Sequence, residues 1–250
     1  MPITMTVRNH IAEIVFDHPK VNAFDTAGWG SIPALINDAS ANEDVRCVLI
    51  RAVGRGFCGG VDIKEMQAHP ERISQLNRNN YLTFKAIRDC AVPVVAALHG
   101  FVIGGGVNIA GACDCLIAAE GAYLSLPEID RGAMGGAAFM SRMLPVQKVR
   151  TNFFTGGTIP VEDMYRHGSV EKIVPREKLE EEARALCAVI ASKSRAALVI
   201  AKQALNLIEP CNPSDMYRIE QGFTLEMYAH EDSQRARDAF VENKGAAAKF

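Results

Sequence analysis

Two glycine-rich stretches and one glutamate are the parts of this 250-residue chain whose residue types and spacing suggest chemistry. The first stretch, residues 55–66, reads RGFCGGVDIKEM, and the second, residues 99–108, reads HGFVIGGGVN. Each follows a predicted strand and leads into a predicted helix, whose first backbone N–H groups have no partner within the helix. Two such turns side by side would direct two N–H donors at one oxygen atom, which is the arrangement of an oxyanion hole.

Glycine content alone is also typical of ordinary tight turns at strand ends. Neither stretch is a phosphate-binding P-loop, because the pattern G-x-x-x-x-G-K-[S/T] is missing from both. Residues 54–59 contain only part of a dinucleotide-binding fingerprint, and the surrounding order fits it poorly. A nicotinamide-linked dehydrogenase is therefore not favoured.

Glu128 comes directly after a short predicted strand and before a glycine-rich segment. A carboxylate in that position is a candidate general base, although a solvated loop acid has the same sequence signature. Asp130, two residues further on, either joins the same site or points away from it.

The elements that must position these residues are strands that alternate with helices. Apolar and β-branched runs predict strands at residues 10–16, 45–51, 93–98, 115–119, 122–125 and 169–174. Apolar residues at helical spacing predict helices near residues 26–39, 76–90, 177–191 and 195–208. This alternation predicts an α/β fold with parallel strand pairing and right-handed crossings, followed by a helical segment that begins near residues 195–210.

The composition excludes several classes of protein. A net charge of −2 gives no basic footprint for nucleic acid. The seven cysteines are scattered without a C-x-x-C pair, so they predict reduced thiols and neither a disulfide framework nor a zinc site. The first residues lack a secretory signal, and the apolar stretch 92–126 is broken by glycines and polar residues. We therefore expect a soluble, cytoplasmic protein.

Residues 57–66 (FCGGVDIKEM), the glycines at 104–106 and the Pro-Glu pair at 127–128 occur in an order that resembles the enoyl-CoA hydratase/isomerase (crotonase) superfamily. Residues 19–23 (PKVNA) and 239–244 (AFVENK) resemble it too, so the resemblance covers nearly the whole chain. It implies a crotonase-like spiral of ββα units over residues 1–195, which would hold coenzyme A and the active site. It further implies that residues 196–250 form a helical region that builds a homotrimer or homohexamer. The implied substrate is an acyl-CoA thioester, with no cofactor.

The resemblance also assigns roles to individual positions. The backbone N–H groups of Gly59 and Gly105 would form the oxyanion hole and bind the thioester oxygen as it becomes an enolate. Glu128 would transfer the proton, with Asn108 beside it. Substrate or coenzyme A contacts are implied for Lys20, Asn22, Ala23, Gly60, Asp62, Ile63, Gly104 and Lys244. Arg55 and Lys64 are further candidates for the phosphates. We interpret Asp62 chiefly as the cap of the following helix.

Asn108 is a departure from the family pattern, because the hydratases that the chain resembles carry a second glutamate there. An amide donates and accepts hydrogen bonds but takes no proton at neutral pH. Losing one acid–base partner costs a factor of about 10² to 10⁴ in rate. Three reactions with a single carboxylate remain: double-bond isomerisation, carbon–carbon cleavage of a β-keto acyl-CoA by activated water, and a modified hydration.

The sequence therefore predicts an acyl-CoA enzyme of hydratase or isomerase type, with Glu128 as its single acid/base group. Residues 126–135 and 216–224 look similar to steroid ring-D-opening CoA hydrolases, which makes carbon–carbon hydrolysis the leading alternative. A catalytically silent acyl-CoA-binding subunit is a further alternative, motivated by Asn108 and opposed by Glu128 and both glycine turns. We expect His99 to be a structural histidine and Cys58 to be a packing residue.

Overall fold

The computed structural model describes residues 3–242. Its strands are β1 (Ile3–Arg8), β2 (Ile11–Phe16), β3 (Ala23–Phe24), β4 (Cys47–Ala52), β5 (Gly60–Val61), β6 (Val94–Leu98), β7 (Phe101–Ile103), β8 (Cys115–Ala119), β9 (Tyr123–Ser125), β10 (Thr158–Pro160) and β11 (Lys172–Val174). Its helices are α1 (Thr26–Ala41), α2 (Ile63–Ala68), α3 (Ile73–Asp89), α4 (Gly105–Ala112), α5 (Ala137–Met140), α6 (Val146–Thr155), α7 (Val161–Arg166), α8 (Leu179–Ala191), α9 (Arg195–Ile208), α10 (Pro213–Tyr228) and α11 (Glu231–Glu242).

Six strands form the main sheet, in the order β1-β2-β4-β6-β8-β11. Strands β2, β4, β6, β8 and β11 pair in parallel, and β1 is added as an antiparallel edge through its hairpin with β2. The central strands are buried on both faces, which explains why they read as continuous apolar runs in the sequence. The predicted α/β class with parallel pairing is confirmed.

Each central strand is followed by a short strand in a second layer and then by a helix. The first three units are β2-β3-α1, β4-β5 with α2 and α3, and β6-β7-α4. The short strands pair with one another, β3 with β5 and β7 with β9, and a single bridge joins Cys58 to Val102. This repeat is the spiral of ββα units that the family resemblance implied.

The two faces of the main sheet pack against different helices. Alternate residues of β4 and β6, such as Val48 and Val94, face the main core together with α1, α3 and α4. The residues between them, such as Leu49 and Val95, form a second core against α8. The sheet is therefore a rigid support whose strand ends carry the loops described below.

The C-terminal helices are fixed to the core by buried polar contacts. Lys202 of α9 is almost fully buried, and its Nζ donates to the backbone oxygens of Ile87 and Val92 and pairs with Asp114 at 2.8 Å. Helix α10 packs on α3, where the rings of Tyr217 and Phe84 lie 5.2 Å apart between centroids. The helical region that was predicted after residue 195 therefore packs against the core of the same chain.

Several short elements are absent from the predicted set. The structure adds β1 and the short strands β3, β5, β7 and β10, while the predicted central strands and the helices α1, α8 and α9 agree to within a few residues. Strands of two or three residues carry too little periodic pattern to be seen in a sequence. Across residues 3–242, no helix has both the length and the apolar character needed to cross a bilayer.

Candidate active site

A pocket opens where the short strands of the second layer lead into their helices. The space between its walls and in front of its open mouth amounts to about 650 Å³, open solvent included. Three segments that the sequence singled out meet there: the β5 turn, the start of α4 and the turn that begins at Glu128. The wall consists of Gly59, Gly60, Val61, Ile63, Ile73, Leu76, Asn77, Asn80, Ile103, Gly104, Gly105, Asn108, Glu128, Arg131, Ala133, Met134, Gly135, Tyr217, Thr224 and Tyr228.

Glu128 begins the single helical turn Glu128–Arg131 that follows β9. Its carboxylate lies against Gly104, where an added Cβ would stand 2.8 Å from Oε1. Gly104 has φ +55° and no side chain, so this position admits both the turn and the carboxylate. Oε2 is buried without a hydrogen-bond partner among residues 3–242. The carboxylate is thus presented to the pocket with an unused oxygen.

The surroundings of Glu128 favour its protonated form. Burial away from water raises its pKa to about 8, and the nearby Glu220 carboxylate adds to this rise, while Arg131 opposes it. Arg131 also lines the pocket, with its guanidinium 4.4 Å from the centroid of the Phe240 ring. A carboxyl whose pKa is near the ambient pH can both take up and return a proton.

Asn108 lies on the first turn of α4 and is buried, with its side chain in the pocket wall. Its Oδ1 has no hydrogen-bond partner in the described part of the chain. Among the wall residues, Glu128 is the one carboxylate. The structure therefore brings Glu128 and Asn108 to one pocket, as the sequence predicted, and places no second acid from α4 beside Glu128.

The two glycine turns come into direct contact. An added Cβ on Gly60, whose φ is +84°, would lie 3.0 Å from the backbone oxygen of Ile103 and 3.4 Å from the nitrogen of Gly105. Gly105 is the first residue of α4, so its N–H has no acceptor within the helix. The described residues offer no other backbone acceptor for it, so the Gly105 N–H stays a candidate donor for a ligand in the pocket.

The prediction that Gly59 supplies the second donor is wrong. Its N–H donates to the backbone oxygen of Val21 at 2.9 Å and to that of Asn22 at 3.2 Å, so it is already used. The N–H of Asp62 donates to Phe24 in the paired strand β3. Because successive N–H groups of a strand point in opposite directions, the N–H of Val61 points away from β3, and Val61 itself lines the pocket. Val61 therefore replaces Gly59 as the second candidate donor.

Several polar residues of the wall were not predicted to lie there, among them Asn77, Asn80 and Tyr217. Asn77 and Asn80 lie three residues apart on α3, and Tyr217 comes from α10. The Tyr217 hydroxyl lies beside the Asn80 amide, and burial raises the pKa of Tyr217. Two amides at helical spacing were a visible signal, but only the fold shows that this helix face and α10 meet at the pocket.

The remaining predicted contacts fall into three groups. Gly60, Ile63 and Gly104 line the pocket. Lys20, Ala23 and Asp62 lie outside its wall, and Asp62 caps α2 by accepting a hydrogen bond from the N–H of Lys64 at 3.0 Å, in agreement with its interpretation as a cap. Lys244 lies outside the described residues.

Asn22 requires a correction, because it is a structural residue and not a substrate contact. It is 1% exposed, and its Nδ2 donates to the backbone oxygens of Val53 and Gly56 at 2.9 and 3.0 Å. Its Oδ1 accepts from the N–H of His18 at 2.8 Å. These bonds fix the chain that leads to the first glycine turn.

Three other polar groups near the turns are not poised for catalysis. Burial raises the pKa of the Cys58 thiol to about 12, which removes its thiolate at neutral pH. His99 is buried, its Nε2 contacts the backbone oxygen of Gly54, and burial lowers its pKa. Asp130 faces Gly156, where an added Cβ would meet its Oδ2, and it does not line the pocket. Within residues 3–242 no three potential metal ligands are grouped together.

Comparison with known proteins adds three findings. A sequence model described as enoyl-CoA hydratase/isomerase matches residues 6–248. A protein of Rhodococcus jostii named (7aS)-7a-methyl-1,5-dioxo-2,3,5,6,7,7a-hexahydro-1H-indene-carboxyl-CoA hydrolase is 41% identical over 245 residues, 97% of this chain and 95% of that protein. Its namesake in Mycobacterium tuberculosis is 41% identical over 246 residues, 97% of this chain and 99% of that protein. A crystal structure described as an enoyl-CoA hydratase from Mycobacterium avium subsp. paratuberculosis superposes with a TM-score of 0.86 at 21% identity, covering 95% of this chain and 98% of the other.

Proposed function

The chain belongs to the enoyl-CoA hydratase/isomerase family, and on that premise we propose that it hydrolyses a carbon–carbon bond in a cyclic oxo-acyl-CoA, with Glu128 as its single acid/base group. The observation that carries the proposal is the pairing of one buried carboxylate with an amide: Glu128 and Asn108 share the pocket, and no second carboxylate lines it among the described residues. A plain hydration mechanism with two glutamates lacks one of its groups here.

The two relatives at 41% identity support the choice among single-carboxylate reactions. Their printed names describe a hydrolase whose substrate is a bicyclic indene skeleton with two oxo groups, carried as a CoA thioester. Both align over 97% of this chain, so the whole pocket lies within the aligned range. The similarity of residues 126–135 and 216–224 to ring-opening hydrolases points to the same reaction.

The proposed first step is the attack of water on a ring ketone. The Glu128 carboxylate removes one proton from the water as its oxygen bonds to the ketone carbon. The bond between this carbon and the neighbouring ring carbon then breaks, and its electron pair moves through the conjugated system onto the thioester oxygen. The N–H groups of Val61 and Gly105 stabilise the enolate oxygen that results.

The second step returns the proton. Protonated Glu128 donates it to the carbon that was released, which regenerates the thioester. The former ketone becomes a carboxylic acid, and coenzyme A stays attached throughout. Water is the only co-reactant in this balance, so we propose no cofactor. Asn108 would orient the water by accepting a hydrogen bond from it at its free Oδ1.

Binding of coenzyme A is proposed for exposed basic residues that are close in sequence to the glycine turns. Lys20 and Arg55 lie in loops and Lys64 lies on the first turn of α2, and all three are exposed. Lysine and arginine are suited to phosphate groups. Coenzyme A thioesters and the seven free cysteines together support a reducing compartment such as the cytoplasm.

The test is the identity of the product formed from the bicyclic dione thioester named for the relatives, incubated in H₂¹⁸O. We expect a product that gains one water, keeps coenzyme A, and carries one ¹⁸O in a new carboxylate. Release of free coenzyme A would show thioester hydrolysis instead. An unchanged substrate would support the silent-subunit alternative. Either of these results would overturn the proposal.

A further inference from the structure

Two amide atoms in the pocket wall, apart from Asn108, have no hydrogen-bond partner among residues 3–242. They are Nδ2 of Asn77 and Oδ1 of Asn80, on side chains that are only 8% and 6% exposed. A buried polar atom without a partner is rare in folded proteins and costs stability. Two of them side by side on the wall of a binding pocket indicate that their partners arrive with the ligand.

Helix α3 carries both amides on the face that lines the pocket. Ile73, Leu76, Asn77 and Asn80 follow helical spacing and all line the wall, so one face of the helix is apolar at its start and polar one turn later. The backbone of this face is held in place, because Nε2 of Gln221 donates to the backbone oxygen of Asn77. The amides are therefore positioned before any ligand binds.

Helix α10 closes the same polar region. The Tyr217 hydroxyl lies beside the Asn80 amide, and the Tyr217 ring is fixed between Phe84 and Phe139, at centroid distances of 5.2 and 5.8 Å. A hydrocarbon acyl chain would leave Nδ2 of Asn77 without a partner. A carbonyl oxygen, in contrast, accepts a hydrogen bond from this Nδ2 or from the Tyr217 hydroxyl, whereas Oδ1 of Asn80 is itself an acceptor and pairs only with a donor such as water.

We propose that Nδ2 of Asn77, together with the Tyr217 hydroxyl, donates a hydrogen bond to an oxygen on the ring of the acyl group, so that the protein selects oxo-acyl-CoA thioesters over hydrocarbon acyl-CoA thioesters. The inference rests on the proposed function for the idea that an acyl ring occupies this pocket. It adds to that function the residues that recognise the oxygen. Because these residues bind the acyl group itself, their effect is visible in binding without any turnover.

The experiment compares two ligands that lack the bond broken in the proposed reaction. Isothermal titration measures the Kd of 4-oxocyclohexanecarboxyl-CoA and of cyclohexanecarboxyl-CoA with the wild-type chain, at pH 7 and fixed salt. We expect the oxo ligand to bind about tenfold tighter or more, since the hydrocarbon leaves buried polar atoms unpaired. Equal affinities would mean that water alone satisfies the amides, and would overturn the proposal.

The variant Asn77→Leu tests whether the preference depends on this residue. It replaces a buried amide whose Nδ2 has no partner with an apolar side chain of similar size, so we expect Tm to stay the same or rise while the preference for the oxo ligand falls towards unity. Gln75→Leu makes a similar chemical change on the exposed face of α3 and should keep the wild-type preference. A preference that survives in Asn77→Leu would contradict the proposal, as would a fall in Tm that marks the amide as structural.

These outcomes separate the subsite from the proposed function. If the bicyclic dione is not hydrolysed but the oxo preference exists and depends on Asn77, the reaction is wrong and the subsite stands. If hydrolysis occurs and both cyclohexane ligands bind equally, the subsite alone is wrong.

Discussion

At the scale of single residues, Glu128 dominates the chemistry because its carboxylate is buried and has an unused oxygen. Its pKa is raised to about 8 by burial, so the base form is a minority at neutral pH and increases as the pH rises. We predict that kcat/KM for the carbon–carbon hydrolysis rises from pH 6 to pH 9 with an apparent pKa near 8. A flat or falling profile over this range, measured at constant ionic strength, would contradict the assignment.

The variant Glu128→Gln should change stability and activity in opposite directions. The native state keeps the Glu128 proton up to about pH 8, while the unfolded chain releases it near its ordinary pKa of 4.5. The stabilisation from this group is therefore complete below pH 4.5 and is lost as the pH rises towards 8. We predict that the Tm of Glu128→Gln, relative to the Tm of the wild type, increases from pH 5 to pH 9. The increase should be about 2–4 °C for each kcal/mol of unfolding free energy that the wild type loses.

The same variant should lose turnover by at least about a hundredfold, the scale of a missing general base. Near-normal turnover would remove Glu128 from its role. A Tm difference that is independent of pH would show that the carboxyl group ionises normally in the folded protein.

How far the sequence predicted the site differs from residue to residue. Glu128, Asn108 and Gly105 were visible because each sits in a short motif beside a strand or helix end. The assignment of the second donor to Gly59 failed because the direction of each N–H around a two-residue strand decides which one is free. That direction is set by pairing with β3, which no local pattern of this sequence reveals.

At the scale of secondary structure, α10 holds the loop that forms one side of the pocket. The Glu220 carboxylate accepts the N–H groups of Gly136, Ala137 and Ala138 at 3.3, 3.0 and 3.0 Å, which are the free donors at the start of α5. Gly136 in turn lies beside Asn108, where an added Cβ would stand 3.1 Å from its Oδ1. Glu220 is therefore a positioning residue that acts through this loop.

We predict that Glu220→Ala lowers the free energy of unfolding by about 1–3 kcal/mol, because buried N–H groups lose their acceptor. Chemical denaturation followed by circular dichroism provides the measurement. KM for the oxo-acyl substrate should rise at the same time, since the displaced loop forms part of the wall. Glu226→Ala, an exposed glutamate of the same helix, is the matched control and should change neither value. Equal losses in both variants would indicate a general effect on α10.

The position of α10 at the pocket could not be predicted from the sequence. The helix was recognised as helical, yet nothing in its pattern shows that Tyr217, Thr224 and Tyr228 reach a pocket built from strand ends about a hundred residues earlier in the chain. The domain boundary at residue 195 remains a prediction. The wall of the pocket contains residues from both sides of that boundary.

At the scale of the whole molecule, the outer faces of the C-terminal helices are strongly apolar. Four large side chains on α9 and α10 are 66–84% exposed: Ile200, Leu207, Ile208 and Ile219. A surface of this kind is typical of a protein–protein interface. Together with the family resemblance, it supports our proposal that the chain assembles as a homotrimer or a dimer of trimers.

We predict that light scattering coupled to size exclusion gives a mass of three or six chains. Leu207→Glu combined with Ile208→Glu should reduce this mass to that of one chain, because two charges would enter an apolar contact. Val189→Glu, which replaces an exposed apolar residue on α8, should leave the mass unchanged. A monomeric wild type would refute the prediction.

The most direct test of the central claim, a single-carboxylate pocket that cleaves carbon–carbon bonds, compares two substrates with the wild-type protein. The measurement is the ratio of kcat/KM for the bicyclic dione thioester to kcat/KM for the hydration of crotonyl-CoA. Because hydration lacks its second glutamate at Asn108, we predict a ratio above about a hundred, the scale of one missing acid–base partner. Efficient hydration of crotonyl-CoA with no cleavage of the dione would contradict the account.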